Sequence, residues 1–101
     1  MKAWIITRSG WKRRECLWKR RGLAITKTSD GRGWTITHLE SGRAVTSWCT
    51  DMKDVVLAIR IATTLTDALD WRTISEPFTN THGMALSPFV SAVLEMFGVL
   101  K

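Results

Sequence analysis

The sequence predicts an α+β domain: an antiparallel β-meander of three to four strands packed against one long α-helix, with a short apolar C-terminal helix. Three observations predict it. Apolar and polar residues alternate through residues 23–28 and 34–39, with turn residues between them. Apolar residues recur at helical spacing between Val55 and Leu69. Ser87-Pro88 then opens an apolar run that Gly98 closes. With 101 residues, one domain of modest core is expected over 1–101. It divides into an N-terminal strand and basic strip (1–21), a β-meander (22–50), a helix (51–71), a loop (72–86) and a helix (87–98).

The first element is a strand over 2–8, rich in β-branched Ile5, Ile6 and Thr7 and ended by Ser9-Gly10. Next comes Trp11-Lys12-Arg13-Arg14-Glu15-Cys16-Leu17-Trp18-Lys19-Arg20-Arg21, in which Trp-Lys-Arg-Arg occurs twice. As a strand, this strip would spread its charges over both faces. As a helix, it would gather Trp11, Glu15 and Trp18 on one side. An ordered loop is the third reading.

The meander follows. Ser29-Asp30-Gly31-Arg32-Gly33 is a turn cluster, and a reversal over 29–32 sets Thr26 opposite Thr35 and Ile25 opposite Ile36. Ser41-Gly42 closes a second hairpin, placing Leu39 opposite Ala44 and Thr37 opposite Thr46, with Glu40 and Arg43 as an opposite-charge pair. The third strand runs over 43–49. Both turns give the same division: Leu23, Ile25, Trp34, Ile36, Val45 and Cys49 form a core face. Ala24, Thr26, Thr28, Thr35, Thr37, Thr46 and Trp48 form a threonine-rich surface.

Asp51 is read as the N-cap of the long helix, with Asp54 in its first turn and Trp71 sealing its far end. The final helix is apolar nearly all round (Phe89, Val90, Ala92, Val93, Leu94, Met96, Phe97). A second core layer is the first reading, and a homodimer interface through residues 88–97 the alternative. A membrane span needs about 20 apolar residues, and Pro88 and Glu95 interrupt this shorter run, so no membrane association is expected.

Charge is segregated. Residues 1–32 hold ten Lys/Arg against two acids, whereas 33–101 hold five against seven, within a net charge of +6. A basic front on a slightly acidic rear points to a directional anionic partner. Two cysteines and an N-terminal apolar run too short for a secretory signal lead to the expectation of a reducing, cytoplasmic setting.

Catalytic signatures are weak. Gly31-Arg32-Gly33 is a turn rather than a phosphate-binding loop. Cys16, His38, Cys49 and His82 lack the paired short spacings of a zinc site, so no metal is expected. Cys16 is read as an incidental free thiol, His38 as a strand-end histidine at the sheet margin, and Asp67 with Asp70 as a solvated helix face. No catalytic residue and no cofactor are assigned, and no enzyme is expected.

The nucleic-acid signal is stronger. Arg13, Arg14, Arg20 and Arg21 can fork onto phosphates, Lys12 and Lys19 add point charge, and Trp11 and Trp18 precede the two cationic triplets. The competing reading is that both tryptophans anchor the strip to the core while the cations are merely solvated. Trp48 among the threonines suggests a second contact surface.

The run Asp30-Gly31-Arg32-Gly33-Trp34-Thr35-Ile36-Thr37, then Ser41-Gly42-Arg43, then Ser47-Trp48-Cys49-Thr50-Asp51 leading into a helix, resembles the arm-type DNA-binding domains of tyrosine recombinases over about residues 22–70. Those domains place a three-stranded sheet, backed by one helix, in the major groove. The resemblance implies Thr26, Thr35, Thr37, Arg43 and Thr46 as DNA-reading residues. The sequence departs from that pattern in its extra apolar helix, and no recombinase catalytic domain follows. The expected function is non-catalytic nucleic-acid binding, DNA favoured, with the strip serving contact rather than folding. The alternatives are a small phage-type inhibitor or accessory protein that docks the strip on a partner's acidic surface, or a dimeric structural subunit.

Overall fold

The structure is a computed structural model describing residues 2–7, 9–28, 33–45, 54–74 and 86–98. It is α+β: a four-stranded antiparallel sheet and two helices. The strands are β1 (Lys2–Thr7), β2 (Gly10–Arg20), β3 (Leu23–Lys27) and β4 (Trp34–His38), in the order β1-β2-β3-β4. Helix α1 spans Val55–Ala68 and α2 spans Ser87–Met96, with a 3₁₀ turn at Trp71–Thr73 between them.

The basic strip is a strand, and it lies inside the sheet. Its first half pairs with β1 (Lys2 opposite Glu15, Trp4 opposite Arg13, Ile6 opposite Trp11). Its second half pairs with β3 (Trp18 opposite Ile25, Arg20 opposite Leu23). The register shifts between Cys16 and Trp18, a β-bulge holding one extra residue. Arg21 and Gly22 make the two-residue turn into β3, with φ of 47° and 89°. Both values are positive, as a type I′ hairpin needs.

The β3–β4 register matches the expectation, with Ile25 opposite Ile36 and Thr26 opposite Thr35. The next reversal is shifted by two residues. Thr37, not Leu39, opposes Ala44, and the His38 N–H donates to Arg43 (2.9 Å). Glu40 therefore sits in the turn and no longer faces Arg43. A two-residue shift keeps the same faces together, so Val45 still reaches the core. Residues 46–50, with Thr46, Trp48 and Cys49, lie outside the described residues.

One sheet face packs on the helices. Leu23, Ile25, Ile36 and Val45 meet Ala58, Ile61, Ala62 and Leu65 of α1 and Val90, Val93 and Leu94 of α2, all buried. Leu17 and Trp18 lie against this core, half-buried, as does Trp34. The opposite face is buried too, because the sheet curls. In a flat sheet β1 and β4 would stand roughly 14 Å apart. Yet the Ile6 N–H in β1 donates to the Gly42 carbonyl beyond β4 (2.8 Å). Ala3, Cys16 and Ala24 form a second buried cluster on the concave side, with Leu39 against them.

Helix α1 begins later than expected. Asp54, not Asp51, is its N-cap, its carboxylate accepting from the Val56 and Leu57 N–H groups (3.0 and 3.3 Å). It ends at Ala68, and Asp70 caps the 3₁₀ turn instead. Trp71 is fully buried, its indole N–H donating to the Leu65 carbonyl (3.0 Å). Its own carbonyl accepts from His38 Nε2 (3.0 Å), which fixes the proton on that nitrogen. Helix α2 opens at Ser87 with Leu86 in the cap position and Pro88 in its first turn. It is amphipathic rather than apolar all round, leaving Ala92, Glu95 and Met96 exposed. Gly98 (φ 72°) ends it. No helix among the described residues is long and apolar enough to cross a membrane.

Gly22 joins the two halves of this core. A Cβ there would lie 2.6 Å from the Arg72 nitrogen and 2.7 Å from the Trp71 carbonyl carbon, on a residue with φ of 89°. Gly22→Ala is expected to lose about 2–4 kcal/mol in urea unfolding, from backbone strain plus displacement of the Trp71 turn.

Candidate functional site

The bulge divides the basic strip into two stretches with different environments. Alternation before it puts Trp11, Arg13 and Glu15 on the convex face of the sheet, beside Lys2, Trp4 and Ile6 of β1. All six side chains are exposed, the three apolar ones by 53% (Trp4), 42% (Ile6) and 50% (Trp11). The extra residue at the bulge reverses the alternation. Trp18 and Arg20 therefore share a face with Ile25 and Leu23 and turn toward the helices. The two strip tryptophans have separated: Trp11 is exposed, and Trp18 is half-buried against the core.

The exposed rings are held from one side. The Arg13 guanidinium lies 5.8 Å from the centre of the Trp4 ring, a cation–π contact worth about 0.5–1 kcal/mol at a solvated site. The Trp11 indole lies over Gly42, where any Cβ would overlap it. Gly42 has φ of 71° and receives the Ile6 hydrogen bond, so one glycine both closes the sheet and seats the ring.

The six strip cations divide in the same way. Arg20 bonds Asp67 (2.7 Å) and the Thr66 hydroxyl (3.0 Å), and Arg21 donates to the Thr66 carbonyl (3.1 Å). Those two pin the end of β2 to α1, so the expectation that the whole strip serves contact alone is corrected for them. Lys12, Arg13, Arg14 and Lys19 make no ion pair among the described residues. Lys12, Arg13 and Lys19 are exposed; Arg14 is half-buried, and its Nε has no hydrogen-bond partner. The strip's one acid, Glu15, faces Lys27 at 3.6 Å.

The threonine surface is the main correction. Thr26 and Thr37 are buried on the concave face and bond each other through their hydroxyls (2.8 Å). They are unavailable to a DNA groove. Thr35 is half-buried and Arg43 is exposed in the segment after β4, while Thr46 and Trp48 fall outside the described residues. Of the residues implied by the arm-type resemblance, Thr26 and Thr37 are thus interior.

The groups with chemical potential are engaged in structure. Cys16 is buried, its thiol 3.3 Å from the Trp18 carbonyl across the bulge. His38 is buried rather than marginal, with Nδ1 accepting from Ser41 (2.8 Å) and Nε2 donating to Trp71. Asp70 is chelated by Arg72 (2.9 and 2.8 Å), and that guanidinium holds its carboxyl down at about 2. Among the described residues no three His, Cys, Asp or Glu side chains gather as metal ligands would.

Trp4 and Ile6 are the site residues that reading the sequence missed. Their signal is alternation: Lys2, Trp4 and Ile6 share one strand face, so burying Ala3 exposes the tryptophan. Replacing Lys12 and Lys19 by Ser is expected to change unfolding free energy by less than about 0.5 kcal/mol. Replacing Arg20 and Arg21 should cost about 1 kcal/mol, kept small by solvent around the Arg20–Asp67 pair. Chemical denaturation of the two variants distinguishes these outcomes. Comparison with protein-family models, curated proteins and solved structures returns no match.

Proposed function

We propose that this protein binds nucleic acid without catalysing a reaction, DNA being the favoured form, in the reducing cytoplasmic setting expected from its sequence. The observation that carries the reading is the division of charge along β2. Arg20 and Arg21 are committed to α1, whereas Lys12, Arg13, Arg14 and Lys19 have no ion-pair partner among the described residues. Uncompensated cations clustered along one strand repel one another, and phosphates relieve that repulsion. The exposed indoles of Trp4 and Trp11 on the β1–β2 hairpin supply the apolar and stacking part of the contact.

A second reading is favoured by the same exposed apolar side chains. Trp4, Ile6 and Trp11 beside Arg13 have the composition of a protein-binding hot spot. In that reading the chain is a small phage-type inhibitor or accessory factor for a partner with an acidic surface. The exposed Met96 of α2 would serve the third reading, a homodimer through residues 88–97.

Salt dependence separates them. If four cations neutralise phosphates, the affinity for labelled duplex DNA falls with salt at a log–log slope of about −3.6. Lys12→Ser and Lys19→Ser should each make that slope shallower by roughly 1. No measurable binding at low salt to either duplex or single-stranded oligonucleotides would remove the nucleic-acid reading and leave the protein partner.

A further inference from the structure

Unpaired cations attract any polyanion but leave the two exposed tryptophans without an occupant. We propose that the convex face of the β1–β2 hairpin binds single-stranded nucleic acid by stacking neighbouring unpaired bases on Trp4 and Trp11. This rests on the nucleic-acid reading above and narrows its ligand to unpaired strands.

Register places the rings. Trp4 opposes Arg13 and Trp11 opposes Ile6, so the two indoles are diagonal neighbours on one face. Diagonal positions in an antiparallel pair stand roughly 7–8 Å apart. That is about twice the 3.4 Å rise of bases stacked in a duplex. Duplex bases are therefore too close together, and too enclosed, to meet both rings. An extended single strand can splay two successive bases to this spacing. Ile6 fills the surface beside the rings and can pack against the intervening sugar.

The rings are also pre-positioned. Trp11 lies on Gly42 and Trp4 lies beneath the Arg13 guanidinium, so each has one supported side while remaining about half exposed. Little rotamer freedom remains to be lost on stacking. The surrounding charge selects the ligand. From Lys2 to Arg14 the sequence holds five Lys/Arg and no acid, and Glu15, the acid on this face, lies 3.6 Å from Lys27. Lys2 and Arg13 share the face with the rings, and Lys12 projects from the opposite side of the same strand. A second copy of the chain is a poor occupant. A two-fold contact through this face would set Lys2 and Arg13 against the same cations of its partner.

The test uses the full chain and fluorescein-labelled thymidine and uridine strands of about 12 nucleotides, with a duplex of equal length, at low salt. Anisotropy should show the unpaired strands bound about 10-fold more tightly than the duplex. Trp4→Ala should weaken single-strand binding by roughly 10-fold and duplex binding far less, and Trp4→Phe should restore most of the loss. Unchanged circular dichroism shows that the variant is folded. Single-strand binding indifferent to Trp4→Ala, or a preference for duplex, overturns the stacking proposal while nucleic-acid binding stands. No binding to any strand overturns both. A homodimer seen by sedimentation without oligonucleotide and dissociated by Trp4→Ala assigns the face to a second copy and also overturns the proposal.

Discussion

One extra residue in β2, between Cys16 and Trp18, lets a single strand serve two purposes. In an uninterrupted strand, side chains alternate without exception. Trp11 and Trp18, seven residues apart, would then point to opposite faces. The bulge reverses the alternation, so both point to the convex side. There they meet different surroundings, because the helices cover the β3 end of that face and leave the β1 end in water. Trp18 and Leu17 become part of the core, and Trp11 remains exposed. The Cys16 thiol reaches across the irregularity to the Trp18 carbonyl. Bulges bend and twist the strand that carries them. This one lies where β2 passes from pairing with β1 to pairing with β3, which is where the sheet must bend to bring Ile6 to Gly42.

The curl has an energetic consequence for both faces. The apolar cluster on the concave surface is made of small side chains, and Ala3, Cys16 and Ala24 contribute little apolar area. The Thr26–Thr37 hydroxyl pair satisfies itself there, since an unpaired buried hydroxyl would cost about 1–3 kcal/mol. Most hydrophobic stabilisation must then come from the helix side. That side is secured by a chain of contacts through Trp71: indole to Leu65, carbonyl to His38, backbone against Gly22. His38 is therefore a structural cross-link, its two nitrogens tying the end of β4 to Ser41 and to the 3₁₀ turn.

Local signals in the sequence were sufficient for the β3–β4 ladder, because Ser29 to Gly33 is a strong turn cluster and both strands alternate cleanly. They were sufficient for the α+β class and for the core face of Leu23, Ile25, Ile36 and Val45. They failed where tertiary structure decides. The Arg21-Gly22 turn was hidden because Arg seldom takes a positive φ; here its side chain is held by the Thr66 carbonyl. Thr26 and Thr37 looked solvent-facing because alternation tells which face a residue is on, not whether that face is covered. The curl that covers it depends on Ile6 meeting Gly42, residues 36 positions apart in sequence. The strip's charge was legible, but which of its cations are committed depended on where Thr66 and Asp67 of α1 would arrive.

One half of β2 thus packs into the core, while the other half, joined to β1, keeps its tryptophan exposed. The six tryptophans report on this division directly, since each contributes one indole N–H resonance. The most direct test is a two-dimensional nitrogen–proton spectrum recorded while an unlabelled thymidine strand is titrated into the full chain. The account predicts that the Trp4 and Trp11 indole signals shift with the strand, while those of Trp18 and Trp71 stay in place. Shifts confined to Trp18 and Trp71, or spread equally over all of them, would contradict it.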